Sequence, residues 1–138
     1  MPVDVTWGNP EKTYTCFRYT GKWTWEEYYH SIEAGYQLVK DVPYTVNILL
    51  DMTDCNLFPA NILSHAGSSM RRPPRSFDLA VIATTSGFVH AIIGILNSFY
   101  GKNTKFKIVK SVEEAKMLFE LYDQDKDRPK TSPTRARR

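Results

Sequence analysis

The side chains best suited to chemistry stand close together, in the stretch DMTDCNLFPANILSH that runs from Asp51 to His65. Asp51, Asp54 and Asn56 can supply oxygens to a hard cation. Their spacing matches no cation-binding loop, and hydrogen bonding at a strand end and turn is the simpler account. Cys55 and His65 are the types that form a nucleophile and its base, but no third residue is placed to orient the histidine. A buried free cysteine beside a surface histidine explains them with less. Further on, Arg71, Arg72 and Arg75 surround Pro73 and Pro74 and can grip a phosphate or an acidic partner; the alternative is a solvated loop. No complete catalytic, metal or cofactor motif occurs, so the sequence reads as a non-enzyme with no cofactor.

The elements that position this stretch are legible from periodicity. Val46, Ile48, Leu49 and Leu50 form the continuous apolar run of a strand buried on both faces, with Asp51 at its carboxyl end. In open α/β sheets the crevice beyond that end is where ligands and partners dock. Two strands precede it, Val3 to Trp7 and Thr13 to Tyr19, joined through Gly8, Asn9 and Pro10 as a hairpin. A helix then opens on a capping box, Thr24 with Glu27, and Trp23 with Tyr28 forms a hydrophobic staple over it. Its apolar stripe is Trp25, Tyr28, Tyr29, Ile32, Tyr36 and Val39.

After the central strand, Pro59 suits the first turn of a helix carrying Ile62, Leu63, Ala66 and Met70. A strand from Phe77 to Thr84 follows, and Ser86 caps a third helix whose main stripe is Phe88, Ile92, Ile95, Leu96 and Phe99. Val89, Ile93 and Tyr100 sit off that stripe and are the expected face for a homodimer or partner contact, because a helix apolar on more than one side is buried twice or lies at an interface. His90 reads as a packing residue. Lys105 to Val109 alternates like an edge strand, and a last helix opens on a second capping box, Ser111 with Glu114.

A chain of 138 residues, 42% hydrophobic and 24% charged, holds one domain with its own core. The net charge of +3 is uneven: Lys126, Arg128, Lys130, Arg135, Arg137 and Arg138 against Asp127 give the tail +5 and leave the preceding residues at −2. A mildly acidic body argues against a nucleic-acid binder. The expected division is a folded domain over 1–125 and a basic disordered tail over 126–138. No segment is long and apolar enough to span a bilayer, the first residues show no signal-peptide pattern, and Cys16 and Cys55 are not paired as CxxC. A cytoplasmic protein is expected.

The expected architecture is thus α/β, in the order ββαβαβαβα: one two-layer domain with a mixed, mainly parallel sheet of about five strands and four helices. That order, with LLDM leading into a polar loop and a helix, and with a glycine and the WTWEE helix start before it, resembles the STAS domain. This is the fold of anti-sigma-factor antagonists and of the cytoplasmic domains of sulfate transporters; the stand-alone SpoIIAA-like members look most similar. In that family a DSSG-like segment follows the central strand, and its serine is phosphorylated by a partner kinase. Phe58, Pro59, Ala60 and Asn61 fall over that segment here and include no serine, although Thr53 and Ser64 lie nearby.

The resemblance implies protein docking through the loop and helix after the central strand, by Asp51, Thr53, Asp54, Asn56, Phe58, Asn61 and Ser64, with Phe58 as an exposed anchor. The expected function is a non-enzymatic regulatory or scaffolding domain for a protein partner, with no nucleic acid and no membrane span. The alternative is a small-molecule or lipid-binding module of CRAL-TRIO-like topology. It requires an apolar cavity near Trp23, Trp25 and Phe88.

Overall fold

The computed structural model describes residues 3–55, 57–71, 77–100 and 106–125. Five strands lie in the sheet in their order along the chain: β1 (Val3–Trp7), β2 (Tyr14–Thr20), β3 (Val46–Asp54), β4 (Phe77–Ala83) and β5 (Phe106–Val109). β1 pairs antiparallel with β2, and every later pairing is parallel. The helices are α1 (Trp25–Val39), α2 (Ile62–Arg71), α3 (Gly87–Tyr100) and α4 (Val112–Tyr122), which ends in a short 3₁₀ turn at Asp123–Asp125. The expected tail, 126–138, lies outside the described residues.

This strand order decides where the helices go. Right-handed crossovers that always step in one direction along a sheet deliver their helices to the same face. Val39 of α1, Ile62 of α2 and Val89, Ile93 and Leu96 of α3 accordingly share one core with Phe17, Ile48, Leu50 and Ile82. β3 is buried from Val46 through Met52, so its other face needs cover too. Among the described residues no strand follows α4 to constrain it, and it supplies that cover: Ala115 and Phe119 pack on Tyr14, Leu49, Leu79, Val81 and Ala83. The sheet and three crossover helices form the expected two layers, and α4 adds a third on the reverse face.

A buried polar clamp holds the reverse layer in place. Asn47 is fully buried in β3; its Nδ2 donates to both carboxylate oxygens of Asp123, at 3.0 and 3.2 Å, and its Oδ1 accepts from the Leu79 backbone N–H at 3.1 Å. One side chain therefore joins the central strand to β4 and to the end of α4.

The start of α1 behaves as its sequence implies, and that of α4 does so in part. Thr24 and Glu27 form the full capping box, and Trp23 packs over Tyr28 with ring centroids 6.4 Å apart. Ser111 accepts from the Glu114 N–H, but the Glu114 carboxylate reaches one residue further back, to the Lys110 N–H at 2.8 Å. The buried line of α1 differs from the expected aromatic stripe. It is Ser31, Gly35 and Val39, with Tyr28, Ile32 and Tyr36 half-buried beside it and Tyr29 exposed. Small residues at fourfold spacing let the helix axis approach the sheet, and the larger rings then straddle the contact.

Gly35 shows how close that approach is. A Cβ there would lie 2.6 Å from Cζ of Phe17, a ring with no exposed surface. Gly35→Ala gains about 1 kcal/mol of helix propensity but overpacks a filled core at a cost of roughly 1–3 kcal/mol. We expect a net loss, read as a lower denaturant midpoint. Asn47→Ala removes an acceptor from a buried N–H and an amide from a buried carboxylate, and should destabilise the fold by roughly 2–4 kcal/mol in the same measurement.

Candidate functional site

The carboxyl ends of β2, β3 and β4 lead into three loops, and two tryptophans tie the first pair together. Trp23, only 2% exposed, meets Tyr19, Trp25 and Phe58 edge-on, with centroids 4.8, 5.0 and 6.1 Å away. Trp25 donates its indole N–H to the Ala60 carbonyl at 2.6 Å and stacks on the His65 imidazole at 4.3 Å. The Tyr29 hydroxyl lies 2.7 Å from His65 Nδ1. The capping box fixes the direction in which Trp23 and Trp25 leave the start of α1, and their contacts then hold the β3–α2 loop against that start.

The residues expected to form one docking patch divide between the two faces of the sheet. Ile48, Leu50 and Met52 belong to the core under α1, α2 and α3, whereas Leu49 belongs to the core under α4. By strand alternation Asp51 and Thr53 lie on the α4 side. Asp51 is buried, and its Oδ1 accepts from both the Thr53 N–H (3.1 Å) and the Thr53 hydroxyl (2.7 Å). Asp54 pairs with Arg18 at 2.5 Å on the exposed surface. Phe58, Asn61 and Ser64 stand instead at the β3–α2 loop and the first turn of α2. Asn56, Arg72 and Arg75 lie outside the described residues, as do the side chains of Arg71 and Tyr100.

Several expectations need correction. Phe58 is not an exposed anchor: it is half-buried against Trp23, and the exposed apolar residue is its neighbour Leu57, at 60%. Pro59 does not open α2. Asn61, in the left-handed region with φ +68°, turns the chain and its carbonyl accepts from the His65 N–H at 3.1 Å, so the helix begins at Ile62. Val89 and Ile93 cannot form an outward dimer face, because they are 3% and 1% exposed and seat α3 on the sheet. Phe88 and Ile95, assigned to the inward stripe, are exposed. A helix apolar on all sides has no polar face to mark which side points to water.

Cys55 and His65 do not form a nucleophile–base pair. Cys55 is buried with its thiol toward the Met52 carbonyl, and burial raises its pKa against the opposing pull of the Trp23 indole. His65 is engaged by Trp25 and Tyr29 rather than by Cys55. Among the described residues no group of three or more His, Cys, Asp and Glu could hold a metal ion. The partly open apolar space under Trp23, Trp25 and Phe58 is about 40 Å³, room for little more than a water molecule or two. Phe88 does not line it. At that volume it is not by itself the large apolar cavity that lipid carriage requires. Outside it, Lys22, Trp23, Trp25 and the segment from Leu57 to Asn61 line an open groove of about 490 Å³.

Among solved structures, the chain is similar to an uncharacterized protein of the DUF3478 family with a SpoIIAA-like fold from Shewanella loihica PV-4. The TM-score is 0.58 at 14% identity, over 85% of this chain and 91% of that one. At that identity the likeness is one of fold, and the chain has the SpoIIAA-like, STAS-type fold. No family model and no curated protein matches the sequence. No helix of the described residues is long and apolar enough to cross a membrane.

The half-buried Cys16 thiol and the buried Tyr14 phenol beneath α4 set an alkaline limit on stability. Burial, then the charge of Asp51, pushes Cys16 from 9.0 up to about 11, against Arg18 and Lys116. Burial, then Cys16 and Glu11, pushes Tyr14 from 10.0 up to about 12. Folding favours both neutral forms, so their contribution is complete below pH 9.0 and is lost as the pH rises through about 11 for Cys16 and about 12 for Tyr14. The urea midpoint should fall across that window, and Cys16→Ala should flatten the part of the fall between pH 9.0 and about 11.

Proposed function

We propose that this is a non-enzymatic regulatory or scaffolding domain of the cytoplasm, which docks a protein partner on the β3–α2 loop and the outer side of α2. The observation that carries this reading is the exposure of Leu57 and Leu63, at 60% and 51%, beside a loop that is otherwise held firmly. Trp25 pins that loop through the Ala60 carbonyl, and Trp23 supports it through Phe58. A preordered loop loses little freedom on binding, which leaves more of the apolar contact as affinity. Leu57 is the anchor, Phe58 is its support, and Asn61 and the exposed Ser64 contribute polar contacts at the edge. The SpoIIAA-like fold supports a regulatory role of this type. No serine stands between Phe58 and Asn61, so docking at this segment rests on shape and polar contact rather than on a phosphate switch there.

Native mass spectrometry of the protein purified gently from its own cells tests the reading. The expected species is this chain with a second, different polypeptide, and Leu57→Ser removes that polypeptide while leaving the thermal midpoint unchanged. Phe58→Ala should lower the midpoint instead, because it takes a ring from the support under the loop. A partner retained by Leu57→Ser, or a monomer carrying only a small-molecule adduct, overturns the assignment.

A further inference from the structure

The groove between the β2–α1 turn and the β3–α2 loop carries one unmatched charge. Lys22, Trp23, Thr24 and Trp25 form one side and the segment from Leu57 to Asn61 the other, around about 490 Å³ of open space. Among the nine lining residues the single formal charge is Lys22. Lys22 is exposed and makes no ion pair among the described residues. Asp54 is taken by Arg18, and Glu27 turns its Oε1 to the Thr24 N–H at 2.9 Å.

The loop side also carries unused backbone donors. The N–H groups of Leu57, Phe58 and Ala60 make no hydrogen bond to any described residue. The same segment is held firmly by other atoms: the Ala60 carbonyl accepts from the Trp25 indole, the Asn61 carbonyl from the His65 N–H, and the Phe58 ring rests on Trp23. A loop that is fixed in place but leaves its N–H groups free is suited to bond the carbonyls of an extended chain laid beside it.

We propose that the groove takes an extended segment of the partner polypeptide in which an apolar side chain and a carboxylate stand two residues apart. The proposal rests on the docking reading above and supplies its ligand chemistry. Alternate side chains of an extended chain lie on the same side, so one residue settles against Trp25 and Pro59 while the next but one reaches Lys22. The segment's carbonyls meet the N–H groups of Leu57, Phe58 and Ala60. Charge selects the occupant, because an unpaired cation in an otherwise neutral lining attracts a carboxylate and repels a basic segment. The free N–H groups select a polypeptide over a fatty acid, whose apolar chain offers them no acceptor.

Selection of a displayed library of random heptapeptides on the full chain tests the proposal. The expected binders carry Asp or Glu two residues from Leu, Ile, Phe or Trp, and the amide protons of Leu57, Phe58 and Ala60 move downfield when a selected peptide is added. Lys22→Gln should weaken binding roughly two- to five-fold, the size of an exposed ion pair, and remove most of its salt dependence. Lys22→Glu should weaken it further, by at least about fivefold, because repulsion replaces attraction. Neither variant should move the thermal midpoint, since the side chain is exposed. Binders without an acidic residue, no binder at all, an affinity that Lys22→Glu leaves unchanged, or displacement by octanoate as effective as by the free peptide overturns the proposal. The cellular partner separates it from the docking reading. A partner lost with Leu57→Ser but held equally well by Lys22→Glu overturns this proposal alone, and a partner kept by Leu57→Ser overturns the docking reading.

Discussion

A central strand buried on both faces must be covered from two directions, and most of this architecture follows from that requirement. β3 is enclosed from Val46 to Met52. The right-handed crossovers that build a parallel sheet in simple chain order send α1, α2 and α3 to one side only. The reverse face depends on α4, which follows the last strand. Asn47 makes that arrangement definite: its amide can satisfy the Asp123 carboxylate and the Leu79 N–H together only when α4 lies across β3 and β4 at one position. Apolar contact alone would tolerate sliding, whereas a buried polar group that must be satisfied does not.

The same alternation that covers the strand also divides its polar residues. Asp51 and Thr53 turn toward the α4 side and satisfy one another in a local turn, while the loop beyond them crosses back to the start of α1. What looks like a single cluster along the chain is two surfaces in space. On the α1 side the loop is braced by indole rings rather than by charge. Under this frame Cys55 is buried with its pKa raised, and the space beneath the rings is small, at about 40 Å³. The proposed docking surface would stand on this aromatic base.

Much of the fold was legible from local signals with a direct physical cause. The hairpin, the Thr24 capping box, the continuous apolar run of β3, the Ser86 cap and the edge character of β5 each depend on near neighbours in sequence, and each is present in the structure. The Val89 N–H donates to Ser86 Oγ at 3.2 Å as the sequence implies. The beginning of α2 was not legible. Pro59 is compatible with a first helical turn, but the Trp25 indole binds the Ala60 carbonyl and Asn61 takes the left-handed turn, so the helix starts later.

By itself the sequence determined the order and kind of the elements, the caps, and the region at the end of the central strand where a site would lie. These depend on periodicity and capping within a few residues. The tertiary structure alone decided which side of each element meets water. For α3, apolar all round, periodicity defines no inward side, and packing on the sheet chose Val89 and Ile93. For Leu57 and Phe58, adjacent in a loop without a period, the position of Trp23 chose which was buried. For α4 no crossover rule applied, and the uncovered face of β3 with the Asn47 amide settled where it packs.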